Sequence, residues 1–352
     1  MISQAGKRDY STGAGRIVLH KPVLVTGGAG FIGGHLLRHL SKLEISTIAI
    51  DDLSAGSLAN LPEDRTYCEF IEGDVGNDEL MAELIGRSQM VIHFAAVVGM
   101  QNVLANPVRT IRTNVEAVCK LAEHCCRVGV PLVDISSSAV YHSPSLHESD
   151  NFSESDVVHG MGMHPVSTYS ESKSLGELIC DSYRRSRGLK CLIVRPFNLI
   201  GPGQSSEYGM VVPRFVRLAL AGEPLPIYGD GKQTRTFSDV RQAVKLLWSA
   251  VCRNNWQGEV LNLATNSDAI SILDLAELVS RIGGKPPRLT FIRHEQVFGP
   301  GMIDVCSRRP DLDRLRKLIG PWQPVALQET IGAVFEYEQS QLRDPLAIEI
   351  EA

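Results

Sequence analysis

The sequence predicts an α/β protein: a doubly wound parallel sheet with a smaller α/β domain set against it. Three observations lead there. Residues 26–33 read TGGAGFIG and follow a short apolar run, Pro22-Val23-Leu24-Val25. Strand-like apolar runs then alternate with helically spaced stretches as far as about residue 197, which implies right-handed βαβ units and parallel pairing. Beyond about residue 199 the texture changes to the glycine and proline clusters Gly201-Pro202-Gly203, Glu223-Pro224-Leu225-Pro226 and Gly229-Asp230-Gly231. Such clusters punctuate short elements and loops.

Taken in order, residues 1–21 are polar and read as a flexible N-terminal extension. Pro22–Val25 reads as a buried strand, and Gly34–Leu40 has helical apolar spacing. The glycines between them therefore occupy a strand-to-helix turn. Gly28, Gly30 and Gly33 fit G-x-G-x-x-G, and Gly27, Gly30 and Gly33 share a three-residue spacing. Glycine allows the turn and a close approach of backbone to a pyrophosphate, while the helix start offers N–H groups and a positive dipole end. The acidic pair Asp51-Asp52, closing the apolar run 48–50, completes a dinucleotide fingerprint of Rossmann type. Further strands are expected at 48–51, 68–72, 90–94, 132–136 and 191–195, and helices at 79–85, 107–128, 168–187, 272–282 and 311–319. The expected division gives 22–197 and 238–265 to the cofactor domain, 198–237 and 266–340 to the second domain, and 341–352 to a loose tail.

The 352 residues suffice for a substantial core, and 43% are apolar, ordinary for a globular chain. Forty acids against 35 bases leave a formal charge of −5, so nothing suggests a nucleic-acid surface. No apolar run approaches the ~20 residues of a membrane span, and no secretory h-region precedes the first strand. The eight cysteines (68, 119, 125, 126, 180, 191, 252 and 306) include no C-x-x-C pair and read as free thiols, so the expected location is cytoplasmic. His147, His159 and His164 share the stretch 142–166 without ligand spacing, so no metal is expected.

Tyr169 and Lys173 lie four residues apart, one helical turn, and so share a face. A cation beside a phenol favours the phenolate, and a bound NAD+ would add a second positive charge. Ser136-Ser137-Ser138 ends the run 132–135, and the carboxyl end of a parallel strand faces the ligand crevice. A hydroxyl there can hydrogen-bond a substrate oxygen and relay its proton.

These motifs stand in a fixed order with others: Gly73-Asp74-Val75, His93-Phe94-Ala95-Ala96, Ser137-Ser138-Ala139-Val140-Tyr141, Arg195-Pro196-Phe197-Asn198 with Gly201-Pro202, and Gly229-Asp230-Gly231 with Thr234-Arg235. Together, over about residues 22–337, the set resembles the nucleotide-sugar epimerase/dehydratase branch of the extended short-chain dehydrogenases. The resemblance implies NAD as cofactor. The turn residues Gly27, Gly30, Phe31, Ile32 and Gly33 would hold it, with Asp51 at the adenosine ribose and Asp52 among the cofactor-binding residues. Asp74 and Val75 would meet the adenine, and Phe94, Ala95 and Ala96 would line the cofactor. Asn114 would brace the catalytic helix, and Ser137, Tyr169 and Lys173 would form the catalytic triad. Ser138, Asn198, Val212, Arg235, Asp304 and Arg308 would meet a UDP-linked substrate. An arginine suits a diphosphate because its fork binds phosphate bidentately. The resemblance also implies a homodimer, paired through helices 107–128 and 168–187 with Ile111, Val115, Val118, Leu175, Leu178 and Ile179.

Departures from that pattern shape the expected reaction. His142 stands where glycine is usual, Gln242 and Arg241 follow Asp239-Val240, and Gly301 occupies the arginine position before Asp304. Similar decarboxylases and 4,6-dehydratases usually carry Glu two residues after the catalytic serine; here that residue is Ala139. Alanine supplies no acid, so the expectation is an NAD-dependent UDP-sugar 4-epimerase. The alternatives are a dehydratase or decarboxylase with a relocated acid, such as Glu148 or Glu154, or a silent NAD(H)-binding protein.

Overall fold

The computed structural model describes residues 8–12, 15–141, 151–156, 167–206, 210–293, 296 and 309–343. The stretch expected to be a flexible extension carries an antiparallel hairpin, β1 (Arg8–Thr12) against β2 (Gly15–Leu19). Tyr, Thr, Ile and Val supply β propensity there.

The first βαβ units run β3 (Val23–Thr26), α1 (Phe31–Lys42), β4 (Thr47–Asp51), β5 (Cys68–Glu72), α2 (Asp78–Arg87) and β6 (Met90–His93). After them come α3 (Met100–Ala105), α4 (Pro107–Ile111) and α5 (Ala117–Val128), the last two joined by a π-helical turn, Arg112–Glu116. The helix expected over 107–128 is thus interrupted. The wider turn carries Asn114 inward, where it is 1% exposed. Next are β7 (Leu132–Ile135), β8 (Asn151–Phe152), α6 (Thr168–Arg187) and β9 (Cys191–Pro196).

The remaining chain supplies β10 (Leu199–Ile200), α7 (Val211–Ala221), β11 (Leu225–Tyr228), β12 (Thr234–Thr236) and β13 (Ser238–Asp239). It continues with α8 (Val240–Arg253), β14 (Gln257–Leu263), β15 (Ala269–Ser271), α9 (Ile272–Ile282) and β16 (Leu289–Ile292). It closes on β17 (Arg309–Pro310), α10 (Asp313–Ile319) and α11 (Leu327–Arg343).

Seven parallel strands form the central sheet in the order β14-β9-β7-β6-β3-β4-β5. The direction of winding reverses between β3 and β6, which opens a crevice at their carboxyl ends. Alternate residues face opposite layers. Val23, Val25, Ile92 and Val133 pack with α1 and α8 residues such as Leu37 and Leu247. Leu24, Val91, Leu132 and Ile193 pack with Leu84, Leu121 and Cys180 from α2, α5 and α6. A separate apolar cluster joins α7, α9 and α11 through Phe215, Val216, Leu275, Val279 and Ile331. Among the described residues no helix is long and apolar enough to cross a membrane.

Candidate active site

The glycine turn sits at the switch point. Gly27 has φ +66°, and a Cβ there would lie 2.7 Å from Ala95 N, so the turn presses directly against the strand end that follows β6. A Cβ on Gly33 would lie 2.2 Å from the Gly27 carbonyl oxygen, so α1 packs onto the turn with no room for a side chain. Gly30 caps α1 without a side chain, and the first turn holds no acid. The N–H groups of Phe31, Ile32 and Gly33 precede the first intrahelical donor, the Gly34 N–H, and point out of the helix start. These are the properties of a pyrophosphate cradle.

The adenosine end is equally formed. Asp51 closes β4, where its carboxylate accepts the Ala29 N–H at 3.0 Å and the Leu53 N–H at 2.9 Å. Two amides aim the group and leave lone pairs for a ribose hydroxyl. Asp52 is exposed and accepts from Ser54 and from Arg109 Nη2 at 3.0 Å, which hold its carboxyl below the usual range against a burial effect that pushes the other way. Asp74 is exposed at the tip after β5, with its carboxylate accepting the Gly76 N–H at 2.7 Å, and Val75 anchors that tip in the core. Phe94, Ala95 and Ala96 are half-buried after β6. The residues present therefore fit a dinucleotide along the carboxyl edge of β3, β4, β5 and β6.

Further along this edge, Ser137 follows β7 and its hydroxyl accepts the Ala139 N–H at 3.1 Å. Tyr169 lies half-buried in the first turn of α6, and Lys173 is 4% exposed one turn on. The Lys173 ammonium donates to the Ile135 carbonyl at 2.8 Å, which ties α6 to the end of β7, just before Ser137. Asn114 braces both sides: its amide donates to Ser172 Oγ at 3.1 Å and to the Val97 carbonyl, and its oxygen accepts the Val97 N–H at 2.8 Å.

Several of the residues expected at the substrate are buried or half-buried. The Val212 side chain is fully buried in the α7 cluster, so only its main chain, in the uncapped first turn of α7, could reach a ligand. Ser138 is 4% exposed, and the Asn198 amide donates to the Thr236 carbonyl at 2.9 Å, bridging β10 and β12. Arg235 is half-buried on β12. Glu154 is 5% exposed; its carboxylate accepts the Asn262 N–H at 2.9 Å and pairs with Arg314 at 3.4 Å. That carboxylate is committed to contacts within the protein. Asp304, Arg308, Glu148 and the histidines at 142, 147, 159 and 164 lie outside the described residues.

A buried network near Ser137 was not singled out from the sequence. Arg195, 2% exposed, donates to Glu177 through Nε at 2.8 Å and Nη2 at 2.6 Å, and to Tyr141 Oη at 2.8 Å. Ser136 donates to the same Glu177 at 2.5 Å, and Tyr141 donates to Asn262 at 2.6 Å. Burial pushes the Tyr141 phenol up to about 12, so it stays protonated and donates. Spacing held a signal for part of this: Glu177 follows Tyr169 and Lys173 at the same four-residue interval.

Known proteins are similar to this chain in sequence and in fold. A UDP-N-acetyl-alpha-D-glucosaminuronate decarboxylase of Bacillus cytotoxicus is 30% identical over 85% of this chain and 92% of its own length. An epimerase from Methanothermobacter thermautotrophicus superposes with a TM-score of 0.82 at 28% identity, covering 94% of each chain. A UDP-glucuronic acid 4-epimerase from Bacillus cereus, in complex with UDP-glucuronic acid and NAD, gives 0.79 at 26% identity, covering 91% of this chain and 99% of that one. Residues 23–264 match the NAD dependent epimerase/dehydratase family, and the chain belongs to that family.

Proposed function

We propose that this enzyme is a UDP-sugar 4-epimerase that retains NAD+ through its cycle. One observation carries the choice among the family's reactions. The position two after Ser137 is Ala139; of the described acids near it, Asp134 is buried beneath α6 and Glu154 is engaged by Asn262 and Arg314. Neither of these two carboxylic acids is open for elimination or for chemistry at the sugar's C5. Bound NAD+ supplies the acceptor and donor of hydride at C4. Tyr169 removes the proton of the 4-hydroxyl and later returns it. Ser137 hydrogen-bonds the same oxygen, and Lys173 favours the phenolate while gripping the end of β7. The unit built on α7, α9 and α11, with Arg235 at its edge, would hold the nucleotide diphosphate while the sugar turns over. Asp304 and Arg308 remain assigned to that pocket.

Decarboxylation is the second reading, supported by the Bacillus cytotoxicus relative. One experiment separates the two: a panel of UDP-, dTDP- and GDP-sugars is run in heavy water and the products are read by mass spectrometry and NMR. Inversion at C4 with no solvent deuterium on carbon supports the epimerase. Release of carbon dioxide, loss of water, or deuterium on a ring carbon contradicts it. Tyr169→Phe is expected to lose ~10²–10⁴-fold in kcat while still binding NAD; turnover within threefold of the parent would contradict its role.

A further inference from the structure

Beneath the catalytic helix lies a polar row that the proposed reaction does not use. Thr26, His93 and Asp134 stand on β3, β6 and β7, with Thr26 paired to His93 and His93 to Asp134. All three are buried. They face the layer of α5 and α6, as do Leu24, Val91 and Leu132 two residues earlier on each strand.

The hydrogen bonding of this row is incomplete. Thr26 Oγ1 accepts the Ala95 N–H at 3.3 Å and lies 2.7 Å from His93 Nδ1. In the tautomer in which the Thr26 hydroxyl donates to Nδ1, the imidazole proton sits on Nε2. His93 Nε2 is buried with no partner, and so is Asp134 Oδ1. A donor without an acceptor and an acceptor without a donor thus occupy neighbouring strands.

The charges are incomplete in the same way. Lys173 Nζ donates to the carbonyl of Ile135, the residue after Asp134. Glu177, the other acid of this layer, is taken by Arg195 on β9. Lys173 and Asp134 are therefore two charges without a direct ion pair among the described residues. His93 is held down near 3 by burial and by Lys173, and stays neutral. Burial pushes Asp134 up to about 6, Lys173 pulls it down, and Glu177 pushes it up. The remaining titratable groups are Cys180 on α6 and Cys191 on β9, thiols that burial raises. A Cβ on Gly176 of α6 would lie 3.6 Å from Asp134 Oδ2, 3.7 Å from the Asn114 carbonyl oxygen and 3.8 Å from Val118 Cγ2, so α6 packs closely over the carboxylate.

Resting on Tyr169 and Lys173 as the acid/base pair, we propose that Asp134 is a positioning residue. Its carboxylate is the buried counter-charge of Lys173, joined to Lys173 and His93 by an internal water, and it offsets the pull of Lys173 on the Tyr169 phenol. Asp134→Asn keeps the shape and removes the charge. The acid limb of kcat/KM should then move down by roughly one pH unit, a tenfold gain on the acid side. Superimposable pH profiles would overturn the proposal. A second measurement needs no turnover: carbon-13 NMR titration of the Asp134 carboxyl in the full chain, with and without Lys173→Met. The carboxyl should titrate near 6 and move further up without Lys173. A carboxyl that ignores the loss of Lys173 would overturn the counter-charge. Should no sugar nucleotide react, the reaction assignment fails while this titration still judges Asp134.

Discussion

We propose that Asp51 governs which dinucleotide the glycine turn accepts. Amides of Ala29 and Leu53 hold its carboxylate at the end of β4, where it can accept from a ribose 2′-hydroxyl and repel a 2′-phosphate. NAD+ should therefore bind more tightly than NADP+ by titration; equal affinities would contradict the placement. Glu177 is a different kind of residue, since its partner Arg195 is 2% exposed. Glu177→Gln leaves a buried guanidinium without its counter-charge and should cost about 3–5 kcal/mol in urea unfolding. Asp134 gives stability a pH dependence of defined sign. Its carboxyl sits near 6 in the fold against 3.8 for an aspartate in water, so the native state loses stability as pH rises through that window. Asp134→Asn escapes this loss. It should melt above the parent at pH 7, by up to about 3 kcal/mol, and converge with it below pH ~4. Equal melting temperatures at pH 7 would contradict the buried anion. The sequence showed Asp51 through its place at a strand end. Asp134 was hidden within an apolar run, because its significance comes from residues on two other strands.

At the scale of elements, the glycine turn and helix α6 carry the most consequence. Gly33→Ala would drive a methyl group to 2.2 Å from the Gly27 oxygen, which only movement of α1 could relieve. NAD affinity by calorimetry should fall strongly while the remaining strands keep their circular dichroism. Helix α6 works on two sides. Tyr169, Lys173 and Glu177 face the sheet, while Leu175 and Leu178 are 45% and 57% exposed on the other side. Val108 and Ile111 of α4 are 64% and 48% exposed. Of the residues expected at a dimer seam, Val118 instead belongs to the protein's own core and Ile179 packs against it. The exposed remainder supports a proposed two-fold pairing through α4, α5 and α6. Light scattering at micromolar concentration should give twice the 38.5 kDa chain mass, and Leu178→Glu should shift it toward one. The strands and α6 were legible because apolar runs and turn residues bound them closely. The π-helical turn was not, because the backbone widens there to serve contacts of Asn114 with Val97 and Ser172, remote in sequence.

The whole molecule places its cofactor edge at the switch point that the alternating pattern implied, while the links between layers had no local signature. Asn262 shows why. Its side chain donates to the carbonyls of Phe152 and Asp311 and accepts from Tyr141, and its amide donates to Glu154. Partners separated by 49 to 121 residues leave no trace in a short window. Asn262 lies on β14, the outermost strand, which shields the flank of β9. During synthesis, β9 is complete some sixty residues before β14 emerges, so a growing chain presents β9 as a bare edge, open to pairing with a neighbouring nascent chain. The strand that closes that edge is locked only when residue 311 arrives. Shortened forms ending between β9 and β14 should therefore be recovered as aggregates, and the last third of the chain protects the first two thirds during its own production.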